Sequence, residues 1–276
     1  MSEHATALQR LRILGIGMGP QHVTPEVSAA LRGCDVVVVF DKSATDGAHA
    51  GRERDEQMMV RRRIADEHGV PVVRVPDPPR DRRGPSESSG AKSRQAVADW
   101  HAARVERILA ALRREAPEAR TVAILAWGDS SLFDSLVRLA GRIEQATGCE
   151  WDVLPGVGAP QVLAARHRVV LHRVGEPVHI TTARKLFDDI EAGQRNLVVM
   201  LTLPHTLDDL ASSPGLADWQ LWWSANLGSE GEQSLSGRVR EVVPRAKVAR
   251  ETARDVAGWV MDMFLLRAPN SRGAVL

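Results

Sequence analysis

The amino-acid sequence predicts an α/β protein made of two α/β domains, and three observations carry that prediction. Short apolar runs, several rich in β-branched residues, alternate with longer segments whose apolar residues recur at helical spacing. Several of those runs empty directly into glycine-rich turns, the strand–turn–helix order of an open parallel sheet. The chain has 276 residues, 43% of them hydrophobic, which exceeds one ordinary domain and is enough for two cores. Composition then narrows the function. A formal net charge of only +1 does not point to nonspecific nucleic-acid binding. Cys34 and Cys149 each sit beside an apolar run and read as buried free thiols, which suits a reducing cytosol. Residues 1–10 hold no apolar core of signal-peptide length, and no apolar run approaches a bilayer span, so the expectation is a cytoplasmic protein.

The elements follow in order. Residues 11–14 read as a short strand ending in Gly15-Ile16-Gly17-Met18-Gly19-Pro20. This is not the dinucleotide-binding fingerprint, because Pro20 stands where the third glycine belongs. The next helix starts later, with Thr24 as N-cap and Pro25 at the first helical position, and stops at Gly33. Residues 35–40 form a continuous, largely β-branched run that suits a strand buried on both faces. Asp41 and Lys42 follow at its carboxyl end, where Asp41 reads equally as a ligand-side residue or as a cap. Residues 52–63 are dense in both signs of charge, and residues 70–75 are a short strand. A proline-punctuated loop, 76–85, then carries Asp77, Arg80, Arg82 and Arg83. Arginine forks suit carboxylates, and a solvated surface loop is the plain alternative. After polar residues 86–93, a helix over 91–115 carries the core stripe Val97, Trp100, Val105, Ile108, Leu109 and Leu112.

The stretch from Val122 to Ser135 organises the rest. A strand over 122–125 feeds Trp127-Gly128-Asp129-Ser130, and a helix is expected over 132–143. Ligands in open α/β sheets sit at the carboxyl ends of strands, which places Gly128 and Asp129 well; Asp129 or Ser130 capping the helix is the alternative. Residues 151–154 form another strand, followed by Pro155-Gly156-Val157-Gly158-Ala159-Pro160 and a small-residue helix over 161–166. A composition shift here sets the domain boundary, giving 1–154, with an insertion at 43–90, and 155–276. In the second half, strands are expected over 178–181, 197–201, 220–224 and 238–243. Helices are expected over 206–211 and 251–266, with a glycine-rich loop over 226–232. Trp219, Trp222 and Trp223 suit burial in this sheet, a partner surface being the other option.

Several chemistries find no motif. The nine histidines are scattered, with no His-Glu-x-x-His or Cys/His metal set. A Gly-x-Ser-x-Gly elbow and a Gly-Lys-Ser/Thr phosphate loop are both missing.

Taken together, the loops resemble those of the tetrapyrrole methylases, S-adenosylmethionine (SAM) dependent transferases with two α/β domains and the cofactor in the cleft between them. Gly15 to Pro20 is similar to the family's first glycine loop, and Trp127-Gly128-Asp129 to its Gly-Asp-Pro loop. Pro155 to Ala159 is similar to its Pro-Gly-Val/Ile-Ser-Ser/Thr-Ala turn, and Asn226-Leu227-Gly228 to its C-terminal Asn-Leu-Gly segment. This chain departs from the pattern at Ser130 (usually proline), Gln21-His22 (usually Gly-Asp) and Gly158 (usually a small hydroxyl residue). Segments 75–82, 97–101 and 126–135 further resemble the subfamily that methylates C-1 in aerobic cobalamin synthesis.

That resemblance implies methyl transfer from SAM to precorrin-5, loss of acetate, and S-adenosylhomocysteine as by-product. It implies cofactor contacts from Pro20, Trp127, Gly128, Asp129, Leu132, Gly158, Ala159, Leu201 and Gly228. Arg80, Arg82, Arg83 and Arg184 are candidate partners for substrate carboxylates. Asp41, His22 and Asp77 are candidates for the base that deacetylation needs. A homodimer is implied as well. Three other readings stand beside it: methylation of another tetrapyrrole position, a nicotinamide-dependent oxidoreductase, and a SAM sensor without turnover.

Overall fold

The computed structural model describes residues 7–41, 50–79 and 90–269. The chain divides into two compact units, Met1–Gly158 and Ala159–Leu276.

The first unit is a five-stranded parallel sheet covered by helices on both faces. Its strands are β1 (Arg10–Gly15), β2 (Val36–Asp41), β3 (Val72–Pro76), β4 (Thr121–Ala126) and β5 (Glu150–Leu154), in the order β3-β2-β4-β1-β5. The helices are α1 (Pro25–Arg32), α2 (Ala50–Glu67), α3 (Gly90–Glu115) and α4 (Leu136–Thr147). Strand side chains alternate between faces. Leu11, Ile13, Val36, Val38, Val122 and Ile124 meet α3 and α4. Leu14, Val37, Val39, Ala123 and Leu125 meet α1 and α2 on the other face. The neighbours β1 and β4 therefore send their chains to opposite faces, and the loops after β1, β4 and β5 come out side by side at one sheet edge.

Local chemistry sets the boundaries. Thr24 Oγ1 accepts from the Val27 amide at 3.2 Å and Pro25 occupies the first helical position, so α1 begins where expected. The charge-dense segment is part of α2, whose Ile64 and Ala65 are fully buried. The helix expected from Leu132 begins instead at Leu136. Asp134 Oδ1 accepts from the Leu136 amide at 2.5 Å, and Phe133 adopts φ 52°, a left-handed conformation that interrupts a helix. Cys34 and Cys149 are both free and buried, and burial pushes the Cys34 thiol up to about 11.

The second unit is a mixed sheet. It contains β6 (His179–Thr182), β7 (Asn196–Met200), β8 (Gln220–Ala225), β9 (Gln233–Arg238) and β10 (Asp262–Arg267), in the order β6-β7-β10-β8-β9. The β6–β7 pair is parallel; the other pairs are antiparallel. Its helices are α5 (Ala159–His167), α6 (Leu186–Glu191), α7 (Thr206–Ala211) and α8 (Val239–Ala257). Trp223 is fully buried and its Nε1 donates to Asp262 Oδ2 at 3.0 Å; Trp219 is also buried. Trp222 is half-buried, with the Arg267 guanidinium 5.0 Å from its ring.

Two expectations fail here. Residues 238–243 are not a strand: past Arg238 they open α8. Val239, Val242, Val243 and Ala246 are buried at helical spacing, and Glu241 Oε2 accepts from the Arg238 amide at 3.3 Å to complete a capping box. Nor does the last helix reach Leu266. Gly258, at φ 75°, ends α8 with its amide on the Arg254 carbonyl, and Met263 to Leu266 form the buried central strand. Among the described residues no helix is long and apolar enough to cross a membrane.

Candidate active site

In the first unit, three glycine-bearing loops meet at backbone contact. The Gly17 amide donates to the Gly128 carbonyl at 3.1 Å, and the Gly128 amide returns a bond to the Gly17 carbonyl at 2.8 Å. Gly15 and Gly156 pack so tightly that a Cβ on Gly15 would lie 2.4 Å from the Gly156 nitrogen. The loops after β1, β4 and β5 thus form one junction at the carboxyl edge of the sheet. Only residues without Cβ allow this approach.

Asp129 ties the junction together. Its Oδ2 accepts from the Gly156 amide at 2.9 Å, and its Oδ1 from the Ser131 amide at 2.9 Å and from the Ser131 hydroxyl. Burial alone would raise its carboxyl pKa, but these donors outweigh burial and hold it below the ordinary value. Asp129 is therefore a loop clasp, not a cap for α4. We expect Asp129→Asn to lower unfolding stability by about 1–2 kcal/mol, because one lobe of the amide can no longer accept. A depressed folded pKa gives stability that is present above about pH 4 and lost as pH falls through the folded value. The gap between wild type and variant should therefore narrow in acid, as measured by urea denaturation at neutral pH and at about pH 3.

The other candidates of this unit sit on the same edge. Pro20 opens a single 3₁₀ turn ending at His22, whose Nδ1 accepts from the Met18 amide at 3.3 Å. In the neutral ring that bond leaves the proton on Nε2. Trp127 and Leu132 are half-buried and Gly158 is buried. Asp41 and Asp77 end neighbouring strands, the Asp77 amide bonding the Asp41 carbonyl at 2.7 Å. Their carboxylates differ. Asp41 pairs with Arg74 at 2.7 Å, and that arginine side chain is 54% exposed. Asp77 is only 5% exposed, with Oδ1 held by Arg104 Nε at 2.7 Å and Oδ2 by Arg104 Nη2 at 2.8 Å. Arg80, Arg82 and Arg83, like Lys42, lie outside the described residues.

One residue of this edge has no motif. Arg61 of α2 donates through Nε to the Leu125 carbonyl at 3.0 Å and lies 5.7 Å from the centre of the Trp127 ring. The signal was spacing: Met58, Arg61, Ile64 and Ala65 share one helical stripe, which places this arginine on the buried side of a charge-rich helix.

In the second unit, β6, β7 and β8 run in the same sense, so Arg184, Leu201 and Gly228 follow their carboxyl ends at one sheet edge. Leu201 is 58% exposed at φ 52°, a strained conformation for leucine. Thr202 Oγ1 binds Asp262, while Asn226 takes the Met261 amide on Oδ1 at 2.8 Å, so both loops are anchored at the start of β10. The 226–232 loop is closed by Glu232, which accepts from the Gly228 amide at 2.7 Å and from Arg166 Nε at 2.6 Å. Ala159 opens α5, the helix that carries Arg166. Arg184 is exposed.

Comparison with known proteins agrees with this architecture. The family of Tetrapyrrole (Corrin/Porphyrin) Methylases matches residues 10–243. A precorrin-6A synthase [deacetylating] of Sinorhizobium sp. is 34% identical over 266 residues, covering 94% of this chain and 95% of the relative. A crystal structure of a cobalamin-synthesis-related protein (CobF) from Corynebacterium diphtheriae superposes with a TM-score of 0.74 at 29% identity, covering 94% of this chain and 98% of that one. A uroporphyrin-III C-methyltransferase from Thermus thermophilus, complexed with S-adenosylhomocysteine, shares the fold with a TM-score of 0.55 at 16% identity, covering 94% and 92%. With a match across both sheets and glycine loops at the strand ends, the chain belongs to the tetrapyrrole methylase family.

Proposed function

We propose that this chain is the SAM-dependent methyltransferase that converts precorrin-5 to precorrin-6A, adding a methyl group at C-1 and releasing acetate. The observation that carries the reading is the end-to-end similarity to the deacetylating precorrin-6A synthase, 34% identity over 94% of the chain. It is the similarity of a whole enzyme, not of a shared domain. The glycine junction supports the cofactor assignment. Its backbone-lined edge, flanked by half-buried Trp127 and Leu132, suits a compact ligand with polar and apolar parts.

When bound, SAM supplies an electrophilic methyl group on a sulfonium. Pro20, Trp127, Gly128, Asp129, Leu132 and Gly158 of the first unit would hold it, and family resemblance adds Ala159, Leu201 and Gly228 as candidates. Their task is positioning, since in-line displacement gains most from alignment and from exclusion of water. Release of acetate needs water to add to the acetyl carbonyl; the carbon–carbon bond then breaks and its electron pair stays on the macrocycle. The three base candidates are held differently: Asp41 pairs with the half-exposed Arg74. Asp77 has both oxygens committed to Arg104, and His22 has Nδ1 committed to Met18. Arg184, with Arg80, Arg82 and Arg83, would meet substrate carboxylates. The reading includes a cytoplasmic homodimer, for which family resemblance is the support.

Calorimetric titration with S-adenosylhomocysteine tests the cofactor half of the proposal. Saturable one-site binding is expected. Binding of NADH in its place would favour the oxidoreductase reading.

A further inference from the structure

The edge that carries the glycine junction also carries a cation, Arg61, with which no carboxylate forms an ion pair among the described residues. The β2–β4 ladder ends at the Val38–Ile124 pair, so beyond it the Leu125 carbonyl has lost its strand partner. Arg61 Nε supplies the missing donor at 3.0 Å, and Nη1 donates to the Gln57 carbonyl at 3.1 Å. Two of the fork's nitrogens are thus fixed by backbone, with the Trp127 ring beside the guanidinium. Among the described residues, Nη2 donates to nothing and no carboxylate forms an ion pair with Arg61. Burial lowers its pKa to about 10; Asp134 acts against this at longer range and Arg104 acts with it. The group is still cationic at neutral pH. Arg61 is half-buried, and a charge held partly out of water with no ion pair among the described residues costs stability; such costs concentrate where a ligand supplies the partner.

We infer that Arg61 binds a carboxylate of a ligand seated at the carboxyl end of β4, with Nη2 as the donor. This rests on the methyltransferase reading, which offers two sources of that chemistry: the amino-acid end of the cofactor and the peripheral carboxylates of the tetrapyrrole. Arginine suits either, since its remaining N–H points from a guanidinium already held on its other edges.

The test uses full-length protein, Arg61→Met, which keeps the apolar stem, and Arg61→Lys, which keeps the charge without the fork. Three probes are read: S-adenosylhomocysteine, 5′-methylthioadenosine, which lacks the amino-acid carboxylate, and precorrin-5 in turnover with SAM. If the cofactor supplies the carboxylate, Arg61→Met weakens S-adenosylhomocysteine binding about 10–100-fold and leaves methylthioadenosine within about twofold. If the tetrapyrrole supplies it, both nucleoside affinities hold and KM for precorrin-5 rises by a similar factor. Arg61→Lys recovers part of the loss in either case. Unchanged affinities and KM in Arg61→Met would overturn the assignment. So would an equal loss for methylthioadenosine with a lowered melting temperature, because that marks a role in holding Leu125 alone. Absence of S-adenosylhomocysteine binding by the unaltered protein would instead overturn the methyltransferase reading, and this assignment with it.

Discussion

Gly156→Ala is expected to lower stability by about 3 kcal/mol and to abolish S-adenosylhomocysteine binding. The added Cβ would lie 2.2 Å from the Gly128 carbonyl oxygen, 2.7 Å from the Gly15 carbonyl carbon and 2.9 Å from Gly15 Cα. All three obstacles are backbone, so no side chain can rotate away. The loops after β1 and β4 must separate from the one after β5, and that separation pulls the Gly156 amide off Asp129. Stability and binding therefore fall together. Gly141→Ala is the control. It lies within α4 with nothing inside 4 Å of its would-be Cβ, and the same substitution there should stabilise by up to about 1 kcal/mol. Urea denaturation and calorimetry on both variants read the contrast. A Gly156→Ala protein with wild-type stability and affinity would show that the close approach has no function.

Arg104→Leu should cost about 3–5 kcal/mol, the usual penalty for orphaning one member of a buried ion pair. The Arg104 and Asp77 side chains are each only 7% exposed. The guanidinium is also stacked between Phe40, at 4.0 Å, and Trp100, at 3.9 Å. Arg104→Lys should recover little, because an ammonium offers neither the two-pronged contact nor the flat faces. Arg104→Leu combined with Asp77→Leu should be less damaging than the sum of the two single changes, since it removes both charges together. The pair has a positional consequence too. Trp100 Nε1 donates to the Pro78 carbonyl at 3.1 Å and Arg107 Nη1 to the Pro76 carbonyl at 3.0 Å, so α3 holds the chain on both sides of Asp77. Denaturation of the three variants and the double variant measures the coupling. Strict additivity would contradict a direct pair.

What was legible in the sequence follows from how local each signal is. β2 and α1 could be read because their causes lie within the segment: a β-branched run in one, Thr24 and Pro25 in the other. The glycine loops could be placed because strand ends are marked by composition. The start of α4 is not legible because Phe133 adopts a left-handed conformation and Asp134 takes the Leu136 amide, in a segment whose path also follows from Asp129 reaching Gly156, 27 positions away. Residues 238–243 resemble a strand through Val242 and Val243 unless Val239 and Ala246 are counted with them. The last helix reads as extending to Leu266 unless Gly258 is counted as its stop and the four consecutive apolar residues 263–266 as a central strand. At the site, Asp77 is legible as a carboxylate of the proline-punctuated loop 76–85, but its partner on α3 is a tertiary fact. Arg61 was hidden among neighbouring arginines, and only its register against Met58 and Ile64 sets it apart.

The most direct measurement is anaerobic turnover of precorrin-5 with SAM by the purified full-length chain, with the methylated product and free acetate quantified in the same reaction. The account predicts one acetate released for each methyl group transferred, with S-adenosylhomocysteine formed in step. Methylation without acetate, or no methylation by protein that binds S-adenosylhomocysteine, would contradict it.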